Sequence, residues 1–395
     1  MQPNTWIEIE QNALTHNLGV LQKASQRAGN QPILCVMVKG NAYGHGLVQT
    51  ARALVRAAEQ LRVRELWLAV HDIFEVLALR DAGLTQPIYV VGYLSPQQAQ
   101  VAVQLDARFV LYDGQVLQAA AQKAQELGTL ARVHVKLETG NNRQGLRHEK
   151  AVELCKIVAQ TPGALLEGLA THFADVEDTT DHRFAHSQVQ RLQRTVETIQ
   201  QQLGHQELLV HASNSAALLL WPEIVGKMAR FGIAVYGLWP SKETWLSVCQ
   251  LGQTPVELRP ALTWKTVIAQ IHEVPTGEYV GYGRTWRAVR PTQVAVLPIG
   301  YYDGYDRGLS NLGKVLIGGV RAPVIGRVAM NMTMVDVTDS QAAQVGAEVV
   351  LLGQQRTPDG LDGDAVTADE MAGWLGTIHY EVVTRIAERI ERKIV

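Results

Sequence analysis

Short apolar runs rich in valine, isoleucine and aromatic residues recur along the first 245 residues. They begin at residues 34, 66, 87, 108, 131, 167, 208 and 230 and read LCVMVK, LWLAV, PIYVVG, RFVLYD, ARVHVKLE, EGLATHF, LLVHAS and RFGIAVYG. The segments between them show helical spacing of apolar residues and end at glycine or proline. Eight strands alternating with helices predict an α/β fold, a (β/α)8 TIM-type barrel over residues 11–245. An open doubly wound sheet is the alternative fold, because it has the same alternation of strands and helices and the pattern alone does not show that the sheet closes.

The pattern changes after residue 245, where β-type runs cluster between glycine, proline and aspartate turns. These runs include ALTWKTVIAQIHEV, TQVAVLPIGYY, KVLIGGVRAPVIGRV and MTMVDV. They predict a second, mostly antiparallel β domain over residues 246–395.

Lys39 ends the first barrel-type run and precedes the glycine-rich turn GNAYGHG. An amine at such a boundary loses solvation, which favours its neutral, nucleophilic form, and the glycines allow a ligand to approach closely. A lysine that merely extends from a strand end into water is the alternative. Arg143, His172 and His211 also lie at or after predicted strand ends, which is the edge where barrel active sites are found.

Composition narrows the class of protein. A net charge of −2 and a pI near 6.6 provide no basic field for nucleic acid. The three cysteines lack CxxC spacing, so they indicate neither a disulfide framework nor a metal site. Neither a signal peptide nor a membrane-spanning run is evident. We therefore expect a cytoplasmic protein that acts on a small molecule.

Seven ordered blocks resemble the alanine racemase family. Residues 36–46 match its motif VKANAYGHG, with Gly40 in place of the usual alanine. The other blocks are HFAD at 172–175, HASNSAA at 211–217, RFGIAVYGL at 230–238, GYGRTW at 281–286, IGYYDGY at 299–305 and IGRVAMNM at 325–332. The resemblance implies pyridoxal 5'-phosphate as cofactor, interconversion of L-alanine and D-alanine, and a supply of D-alanine for peptidoglycan. It also implies a homodimer with shared active sites and a β domain that residues 1–10 join.

The resemblance further implies roles for individual residues. Lys39 would hold the cofactor, and Lys39 and Tyr282 would transfer protons on opposite sides of the substrate. Without the other motifs, Tyr282 between two glycines would be interpreted as a hairpin aromatic rather than a proton carrier. Arg230 would face the pyridine nitrogen, whereas without the resemblance it could be a buried arginine paired with a core acid.

The remaining roles are also those of the resembled family. The cofactor-binding set is Lys39, Tyr43, His172, Ser215, Arg230, Gly232, Ile233 and Tyr380. The substrate-binding set is Arg143, Met330 and Tyr301, with Tyr301 lining a narrow entrance. The supporting residues are His211, which would orient Arg230, and Lys136, which matches a lysine that is often carbamylated and holds the arginine.

Two further departures from the family pattern are visible. The chain has Ala329, Met330 and Asn331 where a cysteine, a methionine and an aspartate are common, and Asn141 where a methionine is common. The change at Asn331 removes a negative charge next to the expected substrate-carboxylate site.

Three other functions remain open from the residues. They are a broader amino-acid racemase, a fold-related pyridoxal-phosphate decarboxylase that would not need Tyr282, and a cofactor carrier. Known single-barrel carriers would match only the first 245 residues.

Overall fold

The computed structural model describes residues 3–26, 29, 31–204 and 207–395. The chain forms two compact units. The barrel unit comprises Asn12–Ala42 and Ala51–Arg259. The β unit comprises the residues up to Gln11, Tyr43–Thr50 and Pro260–Val395. Each unit is therefore built from separate stretches of sequence.

Strands and helices are numbered along the chain, beginning with β1 (Thr5–Ile9), which belongs to the β unit. The barrel strands are β2 (Ile33–Met37), β3 (Leu66–Val70), β4 (Ile88–Val90), β5 (Ala107–Leu111), β6 (Ala131–Lys136), β7 (Ala164–Ala170), β8 (Leu209–His211) and β9 (Met228–Phe231). The helices up to residue 250 are α1 (Gln11–Ser25), α2 (Lys39–Tyr43), α3 (Leu47–Gln60), α4 (Ile73–Asp81), α5 (Pro96–Gln104), α6 (Gly114–Glu126), α7 (His148–Gln160), α8 (Arg183–Leu203), α9 (Ser215–Leu220) and α10 (Lys242–Gln250). Of these, α2 is a left-handed turn rather than a regular α-helix, because its inner residues have positive φ.

The eight barrel strands form one parallel sheet in the order β8-β7-β6-β5-β4-β3-β2-β9. The amide of Arg230 on β9 donates to Ser213 Oγ just after β8 at 2.9 Å, which bridges the two ends of this order. The (β/α)8 prediction is confirmed. One strand was predicted too long, because GIAVYG contains a 3-10 turn at Ile233–Tyr236. Gly232, with φ −130° and ψ −93°, ends the extended backbone there, and an apolar run alone does not show such a break.

Local sequence explains where several barrel helices begin. Asp72, Ser95 and Asp113 have extended backbone conformations and cap α4, α5 and α6 by accepting hydrogen bonds from amides of the first turn. Inside the barrel, apolar side chains form a close-packed core rather than a channel. This core includes Cys35, Trp67, Ala69, Tyr89, Val110 and Met228.

The β unit contains the second predicted domain type. Its strands after β1 are β10 (Leu262–Val267), β11 (Gln270–Val274), β12 (Tyr279–Val280), β13 (Trp286–Arg287), β14 (Thr292–Leu297), β15 (Lys314–Ile317), β16 (Val320–Pro323), β17 (Thr333–Asp336), β18 (Glu348–Arg356), β19 (Asp362–Val366) and β20 (Glu391–Ile394). Its two later helices are α11 (Ala368–Leu375) and α12 (His379–Thr384).

Most strand pairs of the β unit are antiparallel, as expected. A larger sheet runs in the order β16-β15-β18-β10-β1-β20 with β19 beside β18, and β11-β14-β17 form a second sheet. The N-terminal strand β1 pairs with β10 and, in parallel, with β20. The first strand of the chain therefore belongs to a sheet of the β unit. None of the helices in the described residues is both long and apolar enough to cross a membrane.

Candidate active site

Lys39 follows the carboxyl end of β2 by two residues. The amide of Val38 donates to the carbonyl of Ala69 at 2.8 Å, and the Tyr236 hydroxyl donates to the carbonyl of Met37 at 2.7 Å. These bonds fix the strand end, so the backbone that carries Lys39 has little freedom. Lys39 thus lies just after the end of a strand, as the apolar run before it predicts.

The backbone after Lys39 forms a left-handed turn. Gly40, Asn41, Ala42 and Tyr43 have φ values of 62°, 53°, 52° and 53°. Such backbone costs L-residues about 1–2 kcal/mol each, so surrounding contacts must hold it. The Glu75 carboxylate accepts from the Gly40 amide at 2.7 Å and thereby fixes the start of the turn.

Glu75 was not predicted from the sequence. It lies in the first turn of α4, and its second oxygen accepts from the His71 amide at 2.6 Å. Its carboxylate also raises the pKa of Lys39, against the stronger lowering by burial and by Arg143. The net result is a lowered pKa at Lys39, which favours a neutral amine.

Lys136 ends β6 and is only 7% exposed. Burial lowers its pKa well below the usual value, with further lowering by Arg230 and Arg143. The loop that carries Arg143 folds back onto β6, because the Leu146 amide donates to the Lys136 carbonyl at 2.9 Å. Gly145 makes this approach possible, since a Cβ there would lie 2.9 Å from that carbonyl oxygen.

His172 follows β7 by two residues and lines a small pocket with Lys136, Asn141 and Arg143. Burial lowers the pKa of His172 well below its usual value, and the charges of Lys136, Arg230, Arg143 and Lys39 lower it further. The Asn141 side chain donates to the Phe173 carbonyl at 3.1 Å. The structure therefore brings the predicted lysines, arginines and histidine of the barrel unit into one cationic cluster.

Arg230 is buried on β9, and its side chain donates to backbone carbonyls. Nη2 donates to Thr171 at 2.7 Å and Ala212 at 3.1 Å, and Nε donates to Ser213 at 3.3 Å. No carboxylate bonds this side chain in the described part of the chain, so the alternative of a core ion pair is wrong. Nη1 makes none of these three bonds.

His211 ends β8 and lies in a chain of buried polar groups. Its Nε2 is 2.7 Å from Nδ1 of His134, whose Nε2 is 3.0 Å from a carboxylate oxygen of Glu167. Burial and then Arg230 lower the pKa of His211 well below its usual value. Arg230 bonds the carbonyl next to His211 rather than its ring, so the predicted orienting role is not a direct hydrogen bond. His134 was not predicted from the sequence, because it is simply one polar residue within a strand.

Ser215, Gly232 and Ile233 form the barrel-unit part of the predicted phosphate set. The Ser215 hydroxyl oxygen accepts from the amide of Gly232 at 3.0 Å and from that of Ala234 at 3.4 Å. The Gly232 amide is therefore engaged within the protein. Ile233 begins the 3-10 turn, so its amide has no acceptor inside that turn and is available to an anion.

Tyr43 and Tyr380 belong to the β unit, where their ring centroids are 6.2 Å apart. Both carry a hydroxyl, which suits a phosphate oxygen.

The predicted residues at 282, 301 and 330 also belong to the β unit. Tyr282 lies in the loop between β12 and β13, and its side chain is 74% exposed. Tyr301 and Met330 lie on neighbouring loops, because the Tyr301 amide donates to the carbonyl of Ala329 at 3.0 Å. The amide of Ala329 donates to the Met332 carbonyl and closes a turn with Met330 and Asn331 at its tip.

The chain is similar to known proteins over almost its whole length. Residues 9–240 match the family model of the alanine racemase N-terminal domain, and residues 261–394 match that of the alanine racemase C-terminal domain. Curated alanine racemases include that of Symbiobacterium thermophilum, 38% identical over 99% of this chain and 97% of the relative. The alanine racemase of Desulfovibrio desulfuricans is 37% identical over 98% of this chain and 97% of the relative.

Solved structures of alanine racemases are also similar to this chain. Alanine racemase from Clostridium difficile is 30% identical, with a TM-score of 0.88 over 100% of this chain and 96% of that one. Alanine racemase from Bacillus anthracis, solved with bound L-Ala-P, is 29% identical and has a TM-score of 0.86. The match covers 100% of this chain and 96% of that one. The match to residues 261–394 also argues against a single-barrel carrier. The chain belongs to the alanine racemase family of isomerases.

Proposed function

We propose that the protein interconverts L-alanine and D-alanine with pyridoxal 5'-phosphate held by Lys39. It acts in the cytoplasm and supplies D-alanine for peptidoglycan. One observation carries the proposal. Lys39 has a lowered pKa at a strand end and belongs to a cluster with Lys136, Arg143 and Arg230 that is rich in positive charge. Such a cluster suits a phosphorylated aldehyde and an amino-acid carboxylate, which are both anionic.

The donor groups fit this cofactor. Lys39 offers an amine for the aldehyde, Nη1 of Arg230 can donate to the ring nitrogen, and Ser215 with the Ile233 amide can donate to phosphate. Tyr43 and Tyr380 offer two more hydroxyls for that phosphate. When bound, pyridoxal phosphate withdraws electrons from the α-carbon of an attached amino acid and makes its proton removable.

Lys39 and Tyr282 are the two proton carriers. After the substrate amine displaces Lys39, the neutral Lys39 amine takes or returns the α-proton on the side of the D-isomer. Tyr282 serves the side of the L-isomer, so no single group must swing around the substrate. With the cofactor bound, His172 would contact its ring and Tyr282, and burial within the cationic cluster favours the neutral form of His172.

Arg230 limits side reactions. A guanidinium does not give up its proton at neutral pH, so it donates to the ring nitrogen and leaves that nitrogen without a proton. By leaving that nitrogen unprotonated, Arg230 would restrain transamination. The three carbonyls that Arg230 bonds fix this geometry.

Arg143 and the Met330 amide bind the substrate carboxylate, and Tyr301 narrows the entrance to a small side chain. Lys136 supports Arg143 after carbamylation. The lowered pKa of Lys136 favours this step, because the neutral amine adds to carbon dioxide and releases one proton to give an anionic carbamate. An unmodified, protonated Lys136 would instead repel Arg143.

The active enzyme is a homodimer in which Tyr282, Tyr301 and Met330 serve the site of the partner subunit. The exposed position of Tyr282 supports this arrangement, since 74% of a catalytic side chain would otherwise face solvent.

The test is a chiral assay with L-alanine, with and without added pyridoxal phosphate. We expect cofactor-dependent D-alanine, and borohydride reduction followed by peptide mapping should label Lys39. The Lys39→Ala variant should lose the label, whereas Lys123→Ala, a change at a lysine on α6, should keep it. Label on another lysine would contradict the assignment.

The rival functions are tested in the same assay. Comparable turnover of serine, lysine or arginine would indicate a broader racemase. Release of carbon dioxide would indicate a decarboxylase.

A further inference from the structure

Arg392 lies on β20, and its guanidinium is buried in the β unit with 6% exposure. Nε and Nη2 donate to the Gly44 carbonyl at 3.1 and 3.0 Å. Its other acceptors are the carbonyls of Ile386, Ala387, Glu388 and Ile390. Burial lowers the pKa of Arg392 to about 10, so it stays charged at neutral pH. A buried cation bonded to carbonyls alone is costly, and its position calls for a reason.

Gly44 explains that position. Its φ is +83°, and a Cβ there would lie 1.9 Å from the carbonyl oxygen of Val383 on α12. The backbone at Gly44 therefore touches α12 directly. Tyr43 precedes Gly44, and Tyr380 lies one helical turn before Val383. The two tyrosine-bearing segments thus meet at one backbone contact.

The guanidinium connects both segments. One edge binds the carbonyl of Gly44, and Nη1 binds carbonyls at residues 387, 388 and 390, just after α12. Every guanidinium nitrogen is engaged in these bonds, so Arg392 has no donor left for a ligand. Its effect on a ligand must pass through the backbone that it holds.

We infer that Arg392 is a positioning residue for the phosphate end of the cofactor, because it fixes Tyr43 and Tyr380 relative to each other. This inference rests on the proposed function, in which both hydroxyls bind the phosphate. Tyr43 lies on a left-handed turn and Tyr380 on a six-residue helix, and Arg392 bonds the backbone next to each of these segments.

The experiment compares pyridoxal phosphate with pyridoxal, which lacks the phosphate. Apoprotein is titrated with each, and the Lys39-bound form is followed by its visible absorption. Arg392→Lys keeps a charge but replaces the planar fork with one ammonium group. We expect the affinity ratio of pyridoxal phosphate to pyridoxal to fall about tenfold, the equivalent of ~1.4 kcal/mol. The affinity for pyridoxal should change little.

Arg321→Lys is the matched control. Arg321 lies on β16 in the same sheet and bonds Asp364 and Glu370 rather than Gly44. This variant should lose stability and keep the affinity ratio. If Arg392→Lys does not fold, Gly44→Ala disturbs the same contact from the other side, and the same selective loss is expected.

The Tyr43→Phe background tests the route. If Arg392 acts through Tyr43, then Arg392→Lys should lower the ratio less in that background than in the wild type. An equal loss for both ligands, or an unchanged ratio, would overturn the inference. A wild-type protein that forms no bond between Lys39 and either aldehyde would overturn the proposed function instead.

Discussion

A lysine that reacts with an aldehyde must lose its proton near neutral pH, and the surroundings of Lys39 favour that loss. Burial lowers the pKa most, and Arg143 adds to the effect. Glu75 opposes them, yet it also holds the Gly40 amide at the start of the left-handed turn. The same carboxylate therefore limits the activation of the amine while it fixes the backbone next to it.

Tyr282→Phe should separate proton transfer from cofactor binding. The ring remains but the hydroxyl is lost, so we expect turnover of L-alanine to fall by about a hundredfold or more. Absorption of the Lys39-bound cofactor should persist. Tyr279→Phe is the matched control, since Tyr279 is an exposed tyrosine of the same hairpin. Near-normal turnover in Tyr282→Phe would exclude the role as a proton carrier.

Residues within short motifs were predictable, and residues joined over long sequence distances were not. Lys39 and His172 could be placed because their own neighbours in sequence define a strand end. Arg392 is 348 positions from Gly44, and no local pattern links the two. Glu75 likewise looks like any acidic residue in the first turn of a helix.

At the level of elements, alternating apolar runs and helical segments were enough to predict eight strands. The left-handed turn could not be predicted in the same way. Ala42 and Tyr43 favour right-handed or extended backbone, and only tertiary contacts impose positive φ on them. The 3-10 turn at Ile233–Tyr236 was missed for a related reason, since its composition also suits a buried strand.

Two glycines after barrel strands should respond differently to alanine. Gly40 has φ +62°, a methyl group there would meet no other part of the described chain within 4 Å, and the resembled family usually has alanine at this position. Gly40→Ala should lower the free energy of unfolding by less than about 1 kcal/mol, because reduced freedom of the unfolded chain offsets part of the strain. Gly145 has φ +123°, and a Cβ there would lie 2.9 Å from the Lys136 carbonyl oxygen, so Gly145→Ala should lower the free energy of unfolding by more than about 2 kcal/mol.

Urea unfolding of both variants provides the measurement. Similar losses for the two changes would show that space around the Cβ does not decide the cost.

The buried histidines on β6 and β8 should make stability depend on pH. Burial lowers the pKa of both His134 and His211 in the folded state. Below about pH 6.5 the unfolded chain therefore binds protons that the folded chain does not, and the free energy of unfolding falls as pH decreases. The free energy of unfolding can fall by at most ~1.4 kcal/mol per pH unit for each histidine.

Urea unfolding between about pH 7.5 and 5.5 measures how the free energy of unfolding changes with pH. This range is centred on the ordinary histidine pKa of about 6.5. His134→Gln should reduce the slope, and His272→Gln, at an exposed position on β11, should not. A slope that His134→Gln leaves unchanged would contradict this origin.

At the level of the whole molecule, subunits that share sites should complement one another. Lys39→Ala and Tyr282→Phe proteins are each expected to be inactive, but a mixed dimer contains one intact site. Equal mixing should restore roughly a quarter of wild-type activity for a twofold dimer that exchanges at random. Activity is measured after subunit exchange has been verified with two affinity tags. Absence of recovery after verified exchange would contradict site sharing.

The pairing of β1 with β10 and β20 has a consequence for synthesis on the ribosome. The first strand emerges long before either neighbour, because both lie beyond the entire barrel in sequence. Barrel strands can pair as they emerge, whereas β1 must wait with its backbone edges unpaired, a condition that favours aggregation or chaperone binding. The apolar face of β1 is thus exposed before the barrel strands are made and is covered only after them.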